Sequence, residues 1–363
     1  MRICLLGPFP PLRGGISQFN FRLAGALELA GHHVVRIGFK SLYPSFLFPG
    51  KSQYDHSEAA ARRTDMPLLR PTSPFSWPGV RRKISTLRCD AVVVQWWHPF
   101  FAPCLCACLP GGIPAAAVCH NLHPHEGFPL SELLGRHFLN RMDSIVVHGA
   151  ADADRAGSFR GRVVRLFHPI YDQYLSGAPS REEARSRLRI PGDRTVLLFF
   201  GLVRRYKGLD MMVEAMKLLP EKTMLMVAGE NYGSEKDLSE LAAPLGGRFL
   251  RFNTFIPDAE VGLYFGAADI VVLPYRTATQ SGVAQIALAF RKPMVVTNVG
   301  SLGETVSPGV TGEIAEPSPK ALAEAVTKCH LLLDDPELDG RIGKWAERFS
   351  WKVYAEKLVG GVV

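Results

Sequence analysis

Short apolar runs alternate with amphipathic helical patterns along almost the whole chain, and this alternation restricts the possible folds more than any other feature. It predicts parallel β-strands joined by helices, because parallel neighbours need a crossover of about a dozen or more residues. The strand-like runs form two successive series. They are Ile3–Leu6, Val34–Ile37, Ala91–Val94, Ala115–Val118, Ser144–Val147 and Val163–Phe167, then Val196–Phe200, Met224–Ala228, Ile270–Leu273 and Met294–Thr297.

The two series predict two α/β domains, each a doubly wound parallel sheet with helices on both faces. A chain of 363 residues also exceeds one ordinary core. The stretch Tyr171–Ser186 contains Gly, Pro and Ser and leads into a charged helical pattern, which favours a linker. We therefore expect domains over residues 1–172 and 186–345. Residues 41–80 lack clean periodicity, and we expect irregular loops there.

Charge is distributed unevenly between the two halves. Residues 1–170 contain 19 Lys and Arg against 10 Asp and Glu, whereas the remainder contains 23 against 24. A basic first half indicates an acidic partner, a phosphorylated substrate or an anionic membrane surface. The sequence shows no zinc finger, RNP-like strand or recognisable basic helix, so we expect no nucleic-acid partner. An apolar fraction of 47% excludes disordered and fibrous classes.

Cysteine usage and hydropathy favour a cytoplasmic protein. Seven cysteines is an odd number, and the chain opens on a strand-like run without a signal peptide. Cys104, Cys106 and Cys108 alternate, unlike the Cys-x2-Cys spacing of zinc sites, and we interpret them as apolar filling. No window of 18 apolar residues predicts a transmembrane helix. The run Trp96–Leu109 has two interpretations, a buried helix or a segment inserted into a membrane interface.

The segment Phe199–Gly208 places cations in a short loop. A buried strand-like run ends at Phe200, and a helical pattern begins after Gly208. Arg204 and Lys207 therefore lie where an open α/β sheet binds ligands, beyond the carboxyl end of a strand. They predict a phosphate site; a solvated basic turn is the alternative.

Two further loops end at predicted helix starts. Gly14-Gly15 follows the first strand-like run, and Ser281-Gly282 follows the run Ile270–Leu273. Free N–H groups at a helix start attract anions, and glycine lets a ligand approach the backbone. We expect Ser281 to cap its helix. Neither loop matches Gly-x-Gly-x-x-Gly or a P-loop, which argues against a dehydrogenase and leaves a plain turn as the alternative at Gly14-Gly15.

Histidines and a carboxylate follow two other strand-like runs. His120, His123, His125 and Glu126 share one loop, without the His-Glu-x-x-His spacing of a zinc helix. We interpret His120 as a hydrogen-bond partner for sugar hydroxyls or phosphate, with metal binding as the alternative. Glu304 lies on a glycine-bounded turn after the last run, where a carboxylate suits hydroxyl recognition; a helix cap is the alternative there.

Taken in order, these segments resemble the family 4 (group 1) retaining glycosyltransferases of the GT-B fold, over nearly the whole chain. The resemblance rests on the order and spacing of nine short segments. They are Gly14-Gly15, His120-Asn121, Arg204 to Gly208, Val227–Glu230, Phe255–Asp258, Ala268–Pro274, Lys292–Thr297, Gly300–Glu304 and Gly309–Gly312.

The resemblance implies two Rossmann-like domains facing a central cleft. The second domain would hold most of a nucleotide-sugar donor and the first domain would hold the acceptor. A last helix over about 348–363 would pack back on the first domain. The resemblance also implies transfer without a metal or cofactor, with retention at the anomeric carbon.

The same resemblance, joined to the loop chemistry above, gives the expected roles. Arg204 and Lys207 stabilise the departing diphosphate and His120 binds the transferred sugar, so these are the expected catalytic residues. Further donor-phosphate contacts are expected from Gly14, Gly15, Gln280, Ser281, Gly282 and Val283. Base or sugar contacts are expected from Gly229, Glu230, Ile256 and Glu304.

The chain departs from the family at one place. The family commonly carries a Glu-x7-Glu pair beside the donor-site helix, and the matching positions here are Ala278 and Ile286. Gln280 and Gln285 lie nearby and offer neutral hydrogen bonds. The departure leaves the ribose contact, and hence the donor, open.

We expect a transferase that moves a sugar from a nucleoside-diphosphate sugar to a hydroxyl of a glycan or lipid-linked acceptor, in cell-surface polysaccharide or glycoconjugate synthesis. Arg81, Arg82 and Lys83, with Trp96 and Trp97, suggest an acceptor or membrane face at the inner plasma membrane; a solvated basic face is the alternative. The missing Glu pair keeps a second function open, a catalytically inactive nucleotide-sugar-binding scaffold. An epimerase of the same fold would need cleft carboxylates, of which the sequence offers few.

Overall fold

The computed structural model describes residues 1–42, 53–54, 65–122, 130–233, 235–278 and 280–362. These residues divide into two compact units. The first unit joins Met1–Phe167 to Trp351–Val363, and the second is His168–Ser350. Each unit is built around its own parallel sheet, as the two series of apolar runs predict.

The first unit contains, among its described residues, a seven-stranded sheet in which every neighbouring pair is parallel. The strand order is β3-β2-β1-β4-β5-β6-β7. Its strands are β1 (Arg2–Leu6), β2 (His33–Phe39), β3 (Met66–Leu69), β4 (Ala91–Trp96), β5 (Ala115–Cys119), β6 (Ser144–Val147) and β7 (Arg162–Arg165). The helices between them are α1 (Gly15–Leu29), α2 (Trp77–Thr86), α3 (Ala102–Cys108), α4 (Ser131–Leu139) and α5 (Ala150–Ala156).

The second unit has the same architecture, with a parallel sheet ordered β10-β9-β8-β11-β12-β13. Its strands are β8 (Thr195–Phe200), β9 (Thr223–Ala228), β10 (Phe249–Phe252), β11 (Ile270–Leu273), β12 (Met294–Thr297) and β13 (Gly312–Ala315). Its helices are α6 (Arg181–Leu188), α7 (Leu209–Met216), α8 (Glu235–Ala242), α9 (Val261–Ala267), α10 (Gly282–Ala289), α11 (Pro319–Leu332) and α12 (Leu338–Ala346).

The last helix, α13 (Trp351–Val362), returns to the first unit. It packs on α1, where the ring of Phe19 lies 5.1 Å from that of Trp351 and 5.6 Å from that of Tyr354. The buried Tyr354 hydroxyl lies 2.9 Å from Nε2 of His148. Together α1 and α13 cover one face of the first sheet.

Alternate residues of β1 explain why both faces of this sheet are covered. Ile3 and Leu5 join the core beneath α1 and α13, whereas Cys4 and Leu6 join the core beneath α2, α3 and α4. Strands buried on both sides are continuous apolar runs in sequence, as observed for β4 and β5. The predicted α/β fold with two doubly wound parallel sheets of Rossmann-like type is confirmed.

The sequence analysis did not predict three of the strands, β3, β10 and β13. Each has four residues and lies at an edge of its sheet. Edge strands are short and partly exposed, so they lack the unbroken apolar run that identifies an inner strand. In the described part of the region 41–80, β3 and the start of α2 replace some of the expected irregular loop.

The expected linker is part of the second unit. A Cβ on Gly262 of α9 would lie 2.8 Å from Cβ of Ala178, and Arg181 forms an ion pair of 2.9 Å with Asp269. Residues 173–185 are therefore packed, because α9 and the start of β11 supply partners that local sequence does not reveal. The division between units falls at Phe167 and His168.

None of the helices formed by the described residues is both long and apolar enough to cross a membrane.

Candidate functional site

Each sheet has a switch point where the strand order reverses. It lies between β1 and β4 in the first sheet and between β8 and β11 in the second. Open α/β sheets bind ligands beyond the carboxyl ends of the strands at such points. In the second unit, the two loops at this point are residues 201–208 and 274–281, which contain Lys207 and Ser281.

The loop after β8 turns Lys207 back toward the end of its own strand. A 3-10 turn spans Arg205–Lys207, and Gly208 adopts a φ of +66° before α7 begins. A Cβ built on Gly201 would lie 3.1 Å from Nζ of Lys207 and 3.9 Å from Cγ2 of Val283. The Lys207 ammonium and the first turn of α10 therefore border the same glycine.

Lys207 is a buried cation, only 8% exposed. Its ammonium lies 5.6 Å from the ring centroid of Tyr275, and it has no ion-pair or hydrogen-bond partner among the residues that the structure describes. Burial, with a smaller contribution from Arg204, lowers the pKa of Lys207 to about 8. A buried charge without a counter-charge is unfavourable, so an anion bound beside it would be strongly stabilised.

The start of α10 differs from the sequence prediction. Ser281 directly precedes Gly282, yet its side chain makes no capping hydrogen bond. Its Oγ lies 3.3 Å from the buried hydroxyl of Tyr275 instead. The prediction that Ser281 caps α10 is therefore wrong, because the Ser281 hydroxyl is hydrogen-bonded to Tyr275 instead. In the part of the chain that the structure describes, no side chain caps the first N–H groups of α10, and uncapped N–H groups at a helix start favour an anion.

Tyr171 lies against the same helix start, and the sequence interpretation missed it. A Cβ on Gly282 would lie 2.9 Å from Cε2 of Tyr171, so only glycine permits this close approach. The Tyr171 hydroxyl lies 3.2 Å from Nε2 of His168. Burial lowers the pKa of His168 to about 4. The neutral His168 and Tyr171 thus form an uncharged wall beside the start of α10.

The loop after β9 is joined to the loop after β8. Val203 donates its N–H to the carbonyl of Glu230 at 2.9 Å, and Tyr232 donates its N–H to the carbonyl of Val203 at 3.0 Å. The exposed Arg204 places its guanidinium 5.2 Å from the ring centroid of Tyr232. The Tyr232 hydroxyl donates to Oε2 of Glu230 at 3.4 Å. Arg204 and Glu230 consequently share one surface.

Gly229 joins these two loops at backbone level. It adopts a φ of +149°, and a Cβ there would lie 2.1 Å from the carbonyl oxygen of Gly201. No other residue could occupy this position without moving the backbone at Gly201, which also borders Lys207.

The remaining predicted donor contacts lie at the same edge of the second sheet. Ile256 is buried in the loop after β10, and Glu304 is exposed on the 3-10 turn Leu302–Thr305 after β12. Gln280 is half-buried just before α10. Gln285, in α10, is 2% exposed, and its Oε1 has no hydrogen-bond partner among the described residues.

In the first unit, His120 is held by a chain of hydrogen bonds. Its Nε2 lies 2.8 Å from Oε1 of Gln95, Gln95 donates through Nε2 to Oδ1 of Asn20 at 3.1 Å, and Asn20 donates to the carbonyl of Pro8 at 3.1 Å. The ring of Phe19 packs edge-on against His120 at 4.8 Å. His120 is therefore fixed at the carboxyl end of β5, and Asn20 and Gln95 are site residues that the sequence interpretation missed.

Gly14 and Gly15 lie at the start of α1, as predicted. Gly14 adopts a φ of +118°, and α1 begins at Gly15 without a side-chain cap. Ser17, in the first turn, is 1% exposed, and its Oγ has no hydrogen-bond partner among the described residues. This helix start combines uncapped N–H groups with an unsatisfied hydroxyl, a second arrangement suited to an anion.

The other residues of the histidine loop, His123, His125 and Glu126, lie outside the described residues. Within the described part of the chain, no group of three or more His, Cys, Asp or Glu side chains is arranged to hold a metal ion. Cys104 and Cys108 are buried and Cys106 is half-buried, as expected for apolar filling.

The predicted acceptor or membrane face needs one correction. Arg81, Arg82 and Lys83 are exposed on α2, but Trp96 is 1% exposed. Its indole stacks on the ring of Phe138 at 4.4 Å. Trp96 is therefore a core residue, because the last position of β4 faces α4 rather than solvent. Trp97 is half-buried, its ring 4.3 Å from that of Phe101.

Two glycosyltransferase family models match the chain. Residues 180–349 match the model described as "Glycosyl transferases group 1", and residues 13–174 match the model described as "Glycosyltransferase Family 4". Between them the two matches cover most of both units.

Curated proteins give similar results over part of the chain. The D-inositol 3-phosphate glycosyltransferase 1 of Catenulispora acidiphila is 32% identical over 237 residues, 60% of this chain and 56% of that protein. The corresponding protein of Corynebacterium urealyticum is 33% identical over 195 residues, 49% of this chain and 45% of that protein. The chain thus spans about half the length of the curated relatives it matches.

Solved structures share the fold over nearly the full chain. A glycosyltransferase from Rickettsia africae superposes with a TM-score of 0.69 at 16% identity, covering 99% of this chain and 97% of that one. The Anabaena protein Alr3699/HepE in complex with UDP superposes with a TM-score of 0.66 at 17% identity, covering 99% of each chain. Because the two family models match in this order and together cover most of the chain, the chain belongs to the family 4 (group 1) glycosyltransferases.

Proposed function

We propose that the protein is a retaining glycosyltransferase that uses a nucleoside-diphosphate sugar as donor. One observation carries this proposal: among the described residues, the buried Lys207 has no ion-pair partner, and no side chain caps the start of α10 beside it. A diphosphate is the ligand that this pair of features fits best, because it carries two anionic groups close together. UDP is the first nucleotide to test, since the structure of Alr3699/HepE was solved in complex with UDP.

The proposed reaction needs charge stabilisation more than acid catalysis. The bond between the anomeric carbon and the diphosphate oxygen breaks, and the diphosphate keeps the electron pair. The acceptor hydroxyl oxygen bonds to the anomeric carbon on the same face, and its proton passes to a donor phosphate oxygen. Lys207, Arg204 and the N–H groups from Ser281 to Val283 would stabilise the negative charge that develops. No metal or cofactor enters this scheme.

The first unit would bind the sugar and the acceptor. His120, held through Gln95 and Asn20, would hydrogen-bond a hydroxyl of the transferred sugar. The start of α1 at Gly14 and Gly15 would offer N–H groups to the donor phosphates. In the second unit, Gly229, Glu230, Ile256 and Glu304 would contact the base or the sugar.

We propose an anionic or lipid-linked glycan as acceptor, in the synthesis of a cell-surface polysaccharide or glycoconjugate at the cytoplasmic side of the membrane. The excess of Lys and Arg in residues 1–170 supports an acidic acceptor. The relatives named above act, by their names, on D-inositol 3-phosphate, which is itself an anion. A phosphorylated polyol is therefore one acceptor to test beside a lipid-linked glycan.

A panel of nucleotides tests the donor proposal. UDP, GDP, ADP, dTDP and their glucose conjugates are added to the protein, and the melting temperature is measured. Ligand at 100 times its Kd should stabilise the protein by about 2.7 kcal/mol and raise the melting temperature by about 5–10 °C. A shift with one base would identify the donor nucleotide.

Two other outcomes separate the candidate functions. Binding without hydrolysis of the donor and without transfer would favour the inactive scaffold, to which the replacement of both family glutamates by Ala278 and Ile286 points. No shift with any nucleotide would contradict both candidates.

Donor affinity should fall above pH 8. Diphosphate binding needs the protonated ammonium of Lys207, whose pKa in the free protein is about 8. Above this pH the Kd should rise about tenfold for each pH unit. The contribution of Lys207 to the stability of the unliganded protein should change in the opposite direction. Between pH 8 and the ordinary pKa of 10.5, Lys207 is less protonated in the folded state than in the unfolded chain, so its contribution to stability rises with pH. Titration calorimetry from pH 6.5 to 9.5 measures the first effect, and a Kd that stays constant over this range would contradict it.

We also propose that the exposed face around α2 contacts anionic lipid. Arg81, His137 and Arg141 line a groove of about 400 Å³ between α2, α3 and α4. Arg81, Arg82, Lys83 and Arg141 have no ion-pair partner among the described residues. Cations that are not neutralised within the protein favour an anionic surface.

Vesicle sedimentation tests this face. The protein should bind vesicles that contain anionic phospholipid at low salt, and Arg81→Glu/Arg82→Glu should abolish binding. The control Lys320→Glu/Lys328→Glu makes the same change of charge on α11 of the second unit and should leave binding intact. Equal loss in both variants would point to net charge alone, and no binding by the wild-type protein would contradict the membrane proposal.

A further inference from the structure

The two loops at the switch point of the second sheet are tied together by one side chain, Arg276. It lies in the loop between β11 and α10, three residues after the end of β11. The facing loop, after β8, carries Lys207. The neighbouring strands pair at Leu198 and Val271, so both loops leave the same edge side by side.

Arg276 makes four hydrogen bonds to that facing loop and the helix after it. Its backbone N–H donates to the carbonyl of Tyr206 at 2.7 Å, and its NH1 donates to the carbonyl of Arg205 at 3.1 Å. NH1 and NH2 also donate to the two carboxylate oxygens of Asp210, each at 2.7 Å. Asp210 lies in the first turn of α7, directly after the loop.

Backbone packing brings the loops together from a second side. A Cβ on Gly208 would lie 2.0 Å from the carbonyl oxygen of Pro274. Lys207 is therefore flanked by two fixed points: Arg276 holds the residues before it, Tyr206 and Arg205, and Gly208 rests on Pro274. The ring of Tyr275, between Pro274 and Arg276, faces the Lys207 ammonium.

This ion pair is suited to positioning rather than to stability. The side chains of Arg276 and Asp210 are 36% and 51% exposed, and exposed ion pairs contribute little to the free energy of folding. The bidentate geometry nevertheless fixes direction. The hydrogen bonds to the Asp210 carboxylate raise the pKa of Arg276, and those from the Arg276 guanidinium lower the pKa of Asp210, so the pair stays charged through the neutral range.

We propose that Arg276, through Asp210, positions the loop that carries Lys207, so that the Lys207 ammonium meets the donor diphosphate together with the start of α10. The identity of the ligand, a donor diphosphate, rests on the proposed function, whereas the contacts of Arg276 do not depend on it. Arg276 is a positioning residue here, since its NH1 and NH2 groups are hydrogen-bonded to the two carboxylate oxygens of Asp210. A displacement of about 1 Å at such a site can slow catalysis about a hundredfold.

Three variants test the proposal: Arg276→Gln, Asp210→Asn and the double variant. Each single variant should lower kcat/KM about ten- to a hundredfold, with a change in melting temperature below about 4 °C. The double variant should be no less active than Arg276→Gln alone, because Arg276→Gln already removes the partner of Asp210. Lys217→Gln is the matched control: it removes a similarly exposed ion pair with Glu214, at the far end of α7, and should retain full activity.

A second readout follows Lys207 itself and needs no substrate. Competitive labelling of lysines with acetic anhydride, measured by mass spectrometry across pH, gives the apparent pKa of each amine. Among the described residues, the charged and titratable groups near Lys207 are Arg204 and Tyr275. A loosened loop would expose the ammonium to water, so the pKa of Lys207 should rise from about 8 toward 10.5 in both single variants and not in Lys217→Gln.

The outcomes separate this inference from the proposed function. An unchanged Lys207 pKa in both variants would overturn the positioning role. Loss of activity in Arg276→Gln but not in Asp210→Asn would overturn the role assigned to Asp210, and would leave the contact of Arg276 with the carbonyl of Arg205, or a direct contact with the ligand, as its explanation. A raised Lys207 pKa in a protein that binds no nucleotide would support the positioning role while contradicting the glycosyltransferase proposal.

Discussion

Replacing Lys207 by alanine should lower kcat by about 10²–10³-fold, by analogy with the loss of one oxyanion-hole donor. The ammonium is buried, has no ion-pair partner among the described residues and borders the first turn of α10. A charge-assisted hydrogen bond to the leaving diphosphate would contribute about 1.5–3 kcal/mol. The substitution should lower kcat without lowering the stability of the folded protein, because the Lys207 ammonium forms no ion pair with a carboxylate among the described residues.

Steady-state kinetics and thermal unfolding together check this expectation. Removal of a buried, unpaired charge should leave the melting temperature of the free protein unchanged or raised, while the shift caused by nucleotide disappears. Lys217→Ala, which changes an exposed lysine in the same unit, is the control and should behave as wild type. A Lys207→Ala variant with unchanged turnover would remove Lys207 from the reaction.

Gly229→Ala should destabilise the second unit by about 2–4 kcal/mol and lower its melting temperature by about 5–15 °C. The added Cβ would lie 2.1 Å from the carbonyl oxygen of Gly201, and the φ of +149° is one that side chains rarely adopt. The displaced Gly201 borders Lys207, so donor binding should weaken as well.

The comparison variant for this position is Gly233→Ala, in the same loop. Among the described residues, a Cβ there would approach only the side-chain Oδ1 of Asn231, at 3.3 Å, and Gly233 needs no positive φ. It should cost little stability. Equal melting temperatures for the two alanine variants would show that the Gly229 backbone moves freely, contrary to the packing described here.

Local sequence was sufficient to predict the elements that carry the site. The run that ends at Phe200 is β8, and α7 follows Gly208, because a buried parallel strand and an amphipathic helix each leave a periodic signature. Gly14-Gly15 likewise lies at the start of α1. Loops between such elements could be located, and their cations and glycines identified, from spacing alone.

Contacts between distant residues could not be predicted in this way. Ser281 looks like a helix cap, yet the Tyr275 hydroxyl takes its side chain. Trp96 looks like a surface aromatic, yet it stacks on Phe138, which is brought near only by the sheet and α4. The support of His120 by Gln95 has the same origin, since it joins neighbouring strands β4 and β5.

The return of α13 to the first unit has a consequence for synthesis of the protein on the ribosome. The first 167 residues leave the ribosome before the helix that covers one face of their sheet has been made. The apolar surface of α1 around Phe19, which Trp351 and Tyr354 later bury, must wait until the whole second unit has been translated. The first unit therefore keeps apolar surface exposed for as long as residues 168–350 are being translated, and such surface is prone to aggregation until α13 covers it.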